Sequence, residues 1–154
     1  MIRKRRNCAC KNKSIYKPEC VDKNPGGLPG VKKKSFILPF AGGKIWFEHL
    51  DGIYQYTELA LQKLRVDTAN FRRPSAPRHI AFVLDETMMT EELASEIADA
   101  LTGSGKQFVR AAFVGADGLT RRRLRRLLYG HGFAIKFFDG IEPAKEWLLD
   151  ERNV

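Results

Sequence analysis

The sequence predicts an α/β protein with a largely parallel sheet, and two features carry this prediction. From Lys44 to the end of the chain, apolar runs of strand length alternate with amphipathic runs of helical period. This order is typical of βαβ units whose helices pack on a sheet. In addition, HIAFVL at residues 79–84 shows no polar alternation, as expected for a strand that is covered on both faces.

The first two predicted strands are SFILPF, at 35–40, and KIWFE, at 44–48. Between them stand Ala41, Gly42 and Gly43, and glycines between two strand patterns indicate a tight turn. A helix is then predicted from Ile53 to about Ala69, because four apolar residues recur there at helical spacing. They are Ile53, Tyr56, Ala60 and Leu64.

The elements after residue 84 alternate between helix and strand. They are a helix at 90–101, a strand at 107–114, an arginine-rich helix, a strand at 133–138 and a helix at 142–149. Thr90 is a natural N-cap for the first of these helices, with acids in the turn that follows. One apolar stripe on this helix should face the sheet. Its members are Leu93, Ala94, Ile97, Ala98 and Leu101.

The net charge of +9 lies in the first part of the chain. Residues 1–34 contain 11 Lys and Arg and two acids, whereas the remaining residues contain 16 basic and 16 acidic side chains. The same segment lacks a sustained apolar period, so burial cannot offset its ordering entropy. We therefore predict a flexible basic tail at 1–34 and one domain at 35–154. Such a tail is suited to contacts with polyanions such as nucleic acid.

Three cysteines, Cys8, Cys10 and Cys20, all lie in the predicted tail. An odd number of clustered cysteines does not indicate a disulfide framework. Zinc normally takes four ligands with CxxC-type spacing, whereas the tail offers three thiols, a CxC pair and no histidine. We interpret the cysteines as free thiols and expect neither a metal nor a cofactor.

The chain carries no pattern that would direct it into or across a membrane. No apolar run approaches the roughly 18 residues of a membrane-spanning helix. The basic N-terminus is also not followed by the apolar stretch of a secretory signal. With the cysteine pattern, these features predict a soluble protein of the reducing cytoplasm.

The segment LTRRRLRRLLYGHG, at 119–132, contains five arginines within six residues. Leu124, Leu127 and Leu128 have i, i+3, i+4 spacing, which predicts a helix with this stripe buried against the sheet. A charged outer face is the usual state of a surface helix, but no acid occurs between Thr120 and Phe138. The second interpretation is a binding site for acidic protein, nucleic acid or anionic lipid. Its residues would be Arg121, Arg122, Arg125 and Arg126, which should point away from the sheet.

Sequence motifs do not support catalysis. His49, His79 and His131 are scattered, and no HExxH, Walker, Rossmann or nucleophile-elbow motif is present. We therefore expect a protein that is not an enzyme.

Ligands of parallel sheets tend to bind beyond the carboxyl ends of the strands. In this chain that region corresponds to the loops at 85–89, 115–118 and 139–140. Asp85 and Glu86, at one strand end, could form an acidic pair for chemistry or metal, or have only a capping and turn role.

Three segments resemble the STAS domain and its SpoIIAA-like relatives: RHIAFVLDETMMTEELASEIADAL, QFVRAAFVGADGLTRRRLRRLL and FAIKFFDGIEPAKEWL. In that family a strand ends in an acidic residue before a helix, and a later strand reads like VAFVG. The family's last strand ends in FFD, before a helix of the form EPAKEWL. The similarity covers about residues 44–149 and implies a four- or five-stranded sheet with packed helices and no catalytic centre.

The resemblance also implies an interaction or regulatory module. Some family members are anti-sigma factor antagonists switched by phosphorylation at the start of the helix after the central strand. The matching segment here is DETMMTEEL, at 85–93, where Thr87 and Thr90 carry the hydroxyls. It lacks the serines and glycine of the antagonist pattern, and Thr90 also suits an N-cap.

Three functions follow as hypotheses. The first is a regulatory module that binds a protein partner with an acidic surface. The second is a nucleic-acid- or ribosome-associated protein that uses the basic tail and the arginine helix. The third is a small-molecule or lipid carrier, since relatives in the family are associated with apolar ligands.

Overall fold

A computed structural model of the chain describes residues 33–103, 105 and 107–153. The strands are β1 (Phe36–Phe40), β2 (Gly43–His49), β3 (His79–Val83), β4 (Arg110–Val114) and β5 (Ala134–Phe138). The helices are α1 (Thr57–Phe71), α2 (Glu91–Thr102), α3 (Gly118–Leu128) and α4 (Ile141–Leu149), followed by a 3-10 turn at Glu151–Asn153. Most of the predicted tail, including Cys8, Cys10 and Cys20, lies outside the described residues.

Within the described residues, five strands form one sheet in the order β1-β2-β3-β4-β5. β1 is antiparallel to β2, and every other neighbouring pair is parallel. The predicted α/β class with a largely parallel sheet is therefore confirmed. The predicted turn between β1 and β2 is also confirmed, with φ of 46° at Ala41 and 81° at Gly42. Two positive φ angles in succession match the twist of a tight hairpin.

Helices cover the two faces of the sheet unequally. α1, α2 and α3 pack side by side on one face. Each of them joins a strand to its next parallel neighbour in the same direction, and such crossovers are right-handed. α4 follows the last strand and packs on the opposite face, against β2, β3, β4 and β5.

The central strand β3 is buried on both faces. Ile80 and Phe82 face α1, α2 and α3, whereas Ala81 and Val83 face α4. Successive residues of a strand point to opposite faces. The uninterrupted apolar run at 79–84 is thus explained by helices on both sides, as predicted.

The predicted start of the first helix is wrong, because α1 begins at Thr57 rather than at Ile53. The preceding segment instead continues beside the loop after β3, where the Tyr54 N–H donates to the Glu86 carbonyl at 2.8 Å. This pairing accompanies a φ of 54° at Tyr54, which is not helical. Tyr56 is consequently 61% exposed rather than part of a buried stripe.

The second helix agrees with its prediction. The Thr90 hydroxyl accepts a hydrogen bond from the Leu93 N–H at 3.1 Å and so caps α2. All five residues of the predicted apolar stripe are buried. They are Leu93, Ala94, Ile97, Ala98 and Leu101.

Candidate functional site

The arginine-rich segment forms α3, which is fixed at its start and along one side. The Asp117 carboxylate accepts the Thr120 N–H at 2.8 Å, and this hydrogen bond lowers the pKa of Asp117. Leu124 and Leu128 are buried on the side that faces the sheet, and Leu127 packs partly buried against the same cluster. The helix is therefore a firmly seated platform for its arginines.

Two arginines of the predicted site lie against the edge strand β5. The guanidinium carbon of Arg121 is 5.7 Å from the centre of the Phe137 ring, and that of Arg125 is 4.9 Å from it. The expectation that all four arginines point away from the sheet is thus wrong for these two. They stand one turn apart on the flank of α3 nearest β5, where an aromatic face is available to a cation.

Arg121 is held by two further contacts. Its Nε donates to the Ala116 carbonyl at 2.9 Å, and its Nη2 donates to the Asp139 carboxylate at 2.9 Å. The Asp139 side chain is 98% exposed, so water screens this ion pair strongly. These contacts orient Arg121 while most of the positive charge in the region remains uncompensated.

Arg122 and Arg126 lie on the outer side of α3 and are exposed. Neither makes a hydrogen bond or ion pair with the described part of the chain. Arg123 is different, because its Nη1 donates to the Met89 carbonyl at 3.1 Å and its Nη2 lies 3.7 Å from Glu91. Arg123 thus ties α3 to the start of α2, whereas the other four form what we call the arginine face: Arg121, Arg122, Arg125 and Arg126.

A further cation, Lys136, lies beside this surface and was not singled out from the sequence. It is exposed on β5, and its Nζ is 5.4 Å from the centre of the Phe138 ring. A lysine at an alternate position of an otherwise apolar last strand was the available signal. Lys136 places positive charge on the α4 side of β5, opposite Arg121 and Arg125.

A separate cleft of 460 Å3 opens beyond the carboxyl ends of β3 and β4. Two of the three loops predicted to surround such a site, 85–89 and 115–118, contribute lining residues to it, whereas 139–140 does not. Tyr54, from the segment before α1, also lines it. The sequence could not supply this third wall, because the wall depends on the pairing between the segments after β2 and β3.

The two predicted regulatory threonines both use their hydroxyls within the fold. Thr87 donates to the Leu50 carbonyl and accepts the Ile53 N–H at 3.2 Å. Thr90 caps α2, as described above. A phosphoryl group on either hydroxyl would have to displace these contacts.

Asp85 and Glu86 are separately engaged at the end of β3. Glu86 accepts a hydrogen bond from the Tyr54 hydroxyl at 3.1 Å. Asp85 lies so close to Gly115 that a β-carbon there would stand 2.2 Å from its Oδ1. Across residues 33–103, 105 and 107–153, no group of three or more His, Cys, Asp or Glu side chains is placed to hold a metal ion.

Sequence reasoning missed one buried carboxyl, Glu48, between β2 and α1. Trp46 donates its indole N–H to Glu48 at 2.9 Å, and the Lys63 Nζ lies 3.6 Å from the other carboxyl oxygen. Burial is the main reason why the pKa of Glu48 rises to about 8. Glu48 lies two residues after Trp46 on β2, and residues two apart on a strand point to the same face. This spacing was the signal in the sequence that Glu48 faces the core.

Comparison of the chain with protein-family models, with curated proteins and with solved structures found no match. Among the helices of the described region, none combines the length and the apolar character needed to cross a membrane.

Proposed function

We propose that this protein is a non-enzymatic interaction module of the STAS or SpoIIAA-like kind, which binds an acidic protein partner through the arginine face of α3. One observation carries the binding role: Arg122 and Arg126 are exposed and unneutralised by described residues, on a helix anchored by buried Leu124 and Leu128. The similarity of segments and the α/β sheet with helices on both faces support the family assignment.

The uncompensated positive charge of the arginine face favours a binding surface rather than a solvated face without a partner. A solvated helix face usually mixes both signs, whereas residues 120–138 contain no acid. The acid that follows this segment, Asp139, contacts Arg121 alone among the four arginines. Uncompensated charge on a rigid surface raises the rate of association with an oppositely charged partner and disfavours partners of the same sign.

The test compares two double variants that each reverse two exposed cations. Arg122→Glu/Arg126→Glu alters the arginine face, whereas Lys34→Glu/Lys44→Glu alters exposed residues before β1 and on β2. A displayed library of random peptides is selected on the immobilised full-length protein. We expect the selected peptides to be rich in Asp and Glu. They should no longer bind the variant of the arginine face but should still bind the control variant.

Selected peptides without acidic enrichment would overturn this proposal, as would equal binding by both variants. Retained circular dichroism in both variants is the control for folding. Substitution of exposed residues away from caps and contacts usually changes stability little.

A second candidate function is association with nucleic acid, favoured by the 11 Lys and Arg in residues 1–34. Binding through such a segment should be indifferent to sequence and steeply dependent on salt, with a slope of about 0.9 per phosphate neutralised on duplex DNA. Measurement of anisotropy with a labelled random-sequence duplex, with and without residues 1–34, tests this. If the slope survives the deletion but is lost on reversal of the arginine face, α3 is a nucleic-acid site.

The 460 Å3 cleft, with Leu84, Met88 and Met89 in its lining, favours a third candidate, the binding of a small apolar ligand. A retained lipid or metabolite in native mass spectra of the purified protein would support it. Absence of such a species would leave the arginine face as the better candidate.

A further inference from the structure

β5 is the last strand of the sheet, and within the described part of the chain no strand pairs with its outer side. Its backbone groups alternate between the two sides. The Ala134 N–H donates to the Val109 carbonyl at 3.2 Å, and the Phe138 carbonyl accepts the Gly115 N–H at 3.0 Å. The backbone N–H and C=O groups of Ala134 and Phe138 are therefore directed at β4. Backbone groups alternate in direction along a parallel strand, so those of Lys136 are also directed at β4. The N–H and C=O groups of Ile135 and Phe137 are directed away from the sheet.

The outer side of β5 is bordered by cations on both faces of the sheet. On the helix-rich face, Arg121 and Arg125 lie over Phe137. On the α4 face, Lys136 lies over Phe138. Residues of an added strand alternate between the same two faces, so acidic side chains on either face of it would meet positive charge.

We propose that the acidic partner binds as an extended segment, adding a strand to the open edge of β5. This inference rests on the proposed function, which it deepens by defining the shape of the ligand. Main-chain hydrogen bonds to Ile135 and Phe137 supply affinity, as in other cases of strand addition. Arg125 and Lys136 supply the preference for Asp and Glu side chains.

Charge excludes the two occupants that the chain itself offers. A second copy pairing β5 with β5 would bring Arg125 and Lys136 close to their own counterparts, and like charges across a strand pair are destabilising. Residues 1–32 contain nine Lys and Arg and two acids, so this segment is repelled as well. The other sheet edge, β1, contains Pro39, which lacks an N–H for pairing.

The first experiment follows the backbone of the full-length protein by NMR hydrogen exchange. The probe is a short capped peptide in which Glu alternates with Val, compared with one in which Lys replaces Glu. We expect the Glu peptide to slow exchange of the Ile135 and Phe137 amides by about tenfold or more, the effect of one added hydrogen bond. The Lys136 amide, already directed at β4, should change little, and the Lys peptide should have no effect.

The second experiment modifies the backbone of the Glu peptide and uses the unmodified protein. Methylation of single peptide nitrogens should weaken binding by about tenfold at every second position, where the N–H faces β5, and hardly at all between them. Side-chain contacts or a helical ligand would not produce a period of two. A profile without that period overturns the strand-addition proposal.

A pair of single variants locates the site on α3. Arg125→Glu and Arg126→Glu make the same change of charge at adjacent positions, but of these two arginines it is Arg125 that contacts Phe137 of β5. We expect Arg125→Glu to weaken binding of the Glu peptide several-fold more, because charge effects fall with distance. Equal losses would count against the β5 edge.

The outcomes separate this inference from the function on which it rests. Acidic binding that needs the arginine face but leaves Ile135 and Phe137 unprotected overturns strand addition alone. Absence of any binding of acidic peptide overturns both.

Discussion

At the scale of single residues, Glu48 is the side chain most at odds with its surroundings. One of its carboxyl oxygens accepts the Trp46 indole N–H, and the other makes no hydrogen bond among the described residues. Lys63 is nearby but also binds Asp67 at 2.5 Å, so its charge is shared. Burial outweighs the attraction of Lys63 and raises the pKa of Glu48 to about 8.

This raised pKa predicts a dependence of stability on pH. The folded protein holds a proton on Glu48 that the unfolded chain releases near its ordinary pKa, about 4.3. The stabilising contribution is therefore complete below that value and is lost as pH rises toward 8. We expect the urea midpoint of the native chain to fall, relative to that of Glu48→Gln, between about pH 5 and about pH 8.

The matched control for this prediction is Glu58→Gln, which makes the same substitution at an exposed position of α1. The difference between the native chain and Glu48→Gln also removes every contribution that the two proteins share. A difference that does not change with pH would show that Glu48 is ionised in the fold.

At the scale of elements, the two faces of the sheet depend on unequal support. Three helices share the larger core cluster, whereas the smaller cluster is closed by α4. Only Ala144 and Leu148 of this helix are fully buried, with Trp147 packed partly buried beside them. The attachment of α4 thus depends on few side chains.

Leu148→Ala should destabilise the fold by about 2 to 5 kcal/mol, because it removes a fully buried side chain and leaves a cavity. Leu148 is 0% exposed, so no compensating contact with water is available. The change is measured as a shift of the denaturant midpoint at unchanged slope. Glu146→Ala, exposed on the same helix, is the control for helix propensity, and equal effects of the two would contradict the packing of α4.

At the scale of the whole molecule, charge is divided sharply along the chain. The body after residue 34 has 16 basic and 16 acidic residues, yet α3 concentrates arginine on one surface. The acidic residues of the body lie elsewhere. Two of them, Glu91 and Glu92, are in the first turn of α2. The body is therefore formally neutral but electrically polarised.

The predicted boundary at residue 34 gives a test of what the fold requires. A chain of residues 35–154 should unfold cooperatively and keep its near-ultraviolet circular dichroism, because Ser35 and its partners are retained. The Ser35 hydroxyl accepts the His49 N–H at 3.0 Å and bonds Lys63 at 2.6 Å. The cut loses the ion pair between the largely exposed Lys33 and Asp51, but Asp51 keeps its contact with the His49 ring at 2.9 Å. Loss of the near-ultraviolet signal would mean that residues before Ser35 belong to the core.

The sequence by itself determined the features that depend on neighbours along the chain. The five strands, the Thr90 cap and the buried stripe of α2 follow from period and local hydrogen bonding, which act over a few residues. The start of α1 was misplaced because Tyr54 pairs with Glu86, which is remote in sequence.

Only the tertiary structure decided the features that depend on which elements become neighbours. It turned Arg121 and Arg125 onto Phe137, buried Glu48 beneath α1, and left one side of β5 open. Periodicity reports which side of an element is apolar, but the partner of each side chain is set by the order of strands in the sheet. The arginines were visible in the sequence, whereas the strand edge that they border was created by the fold.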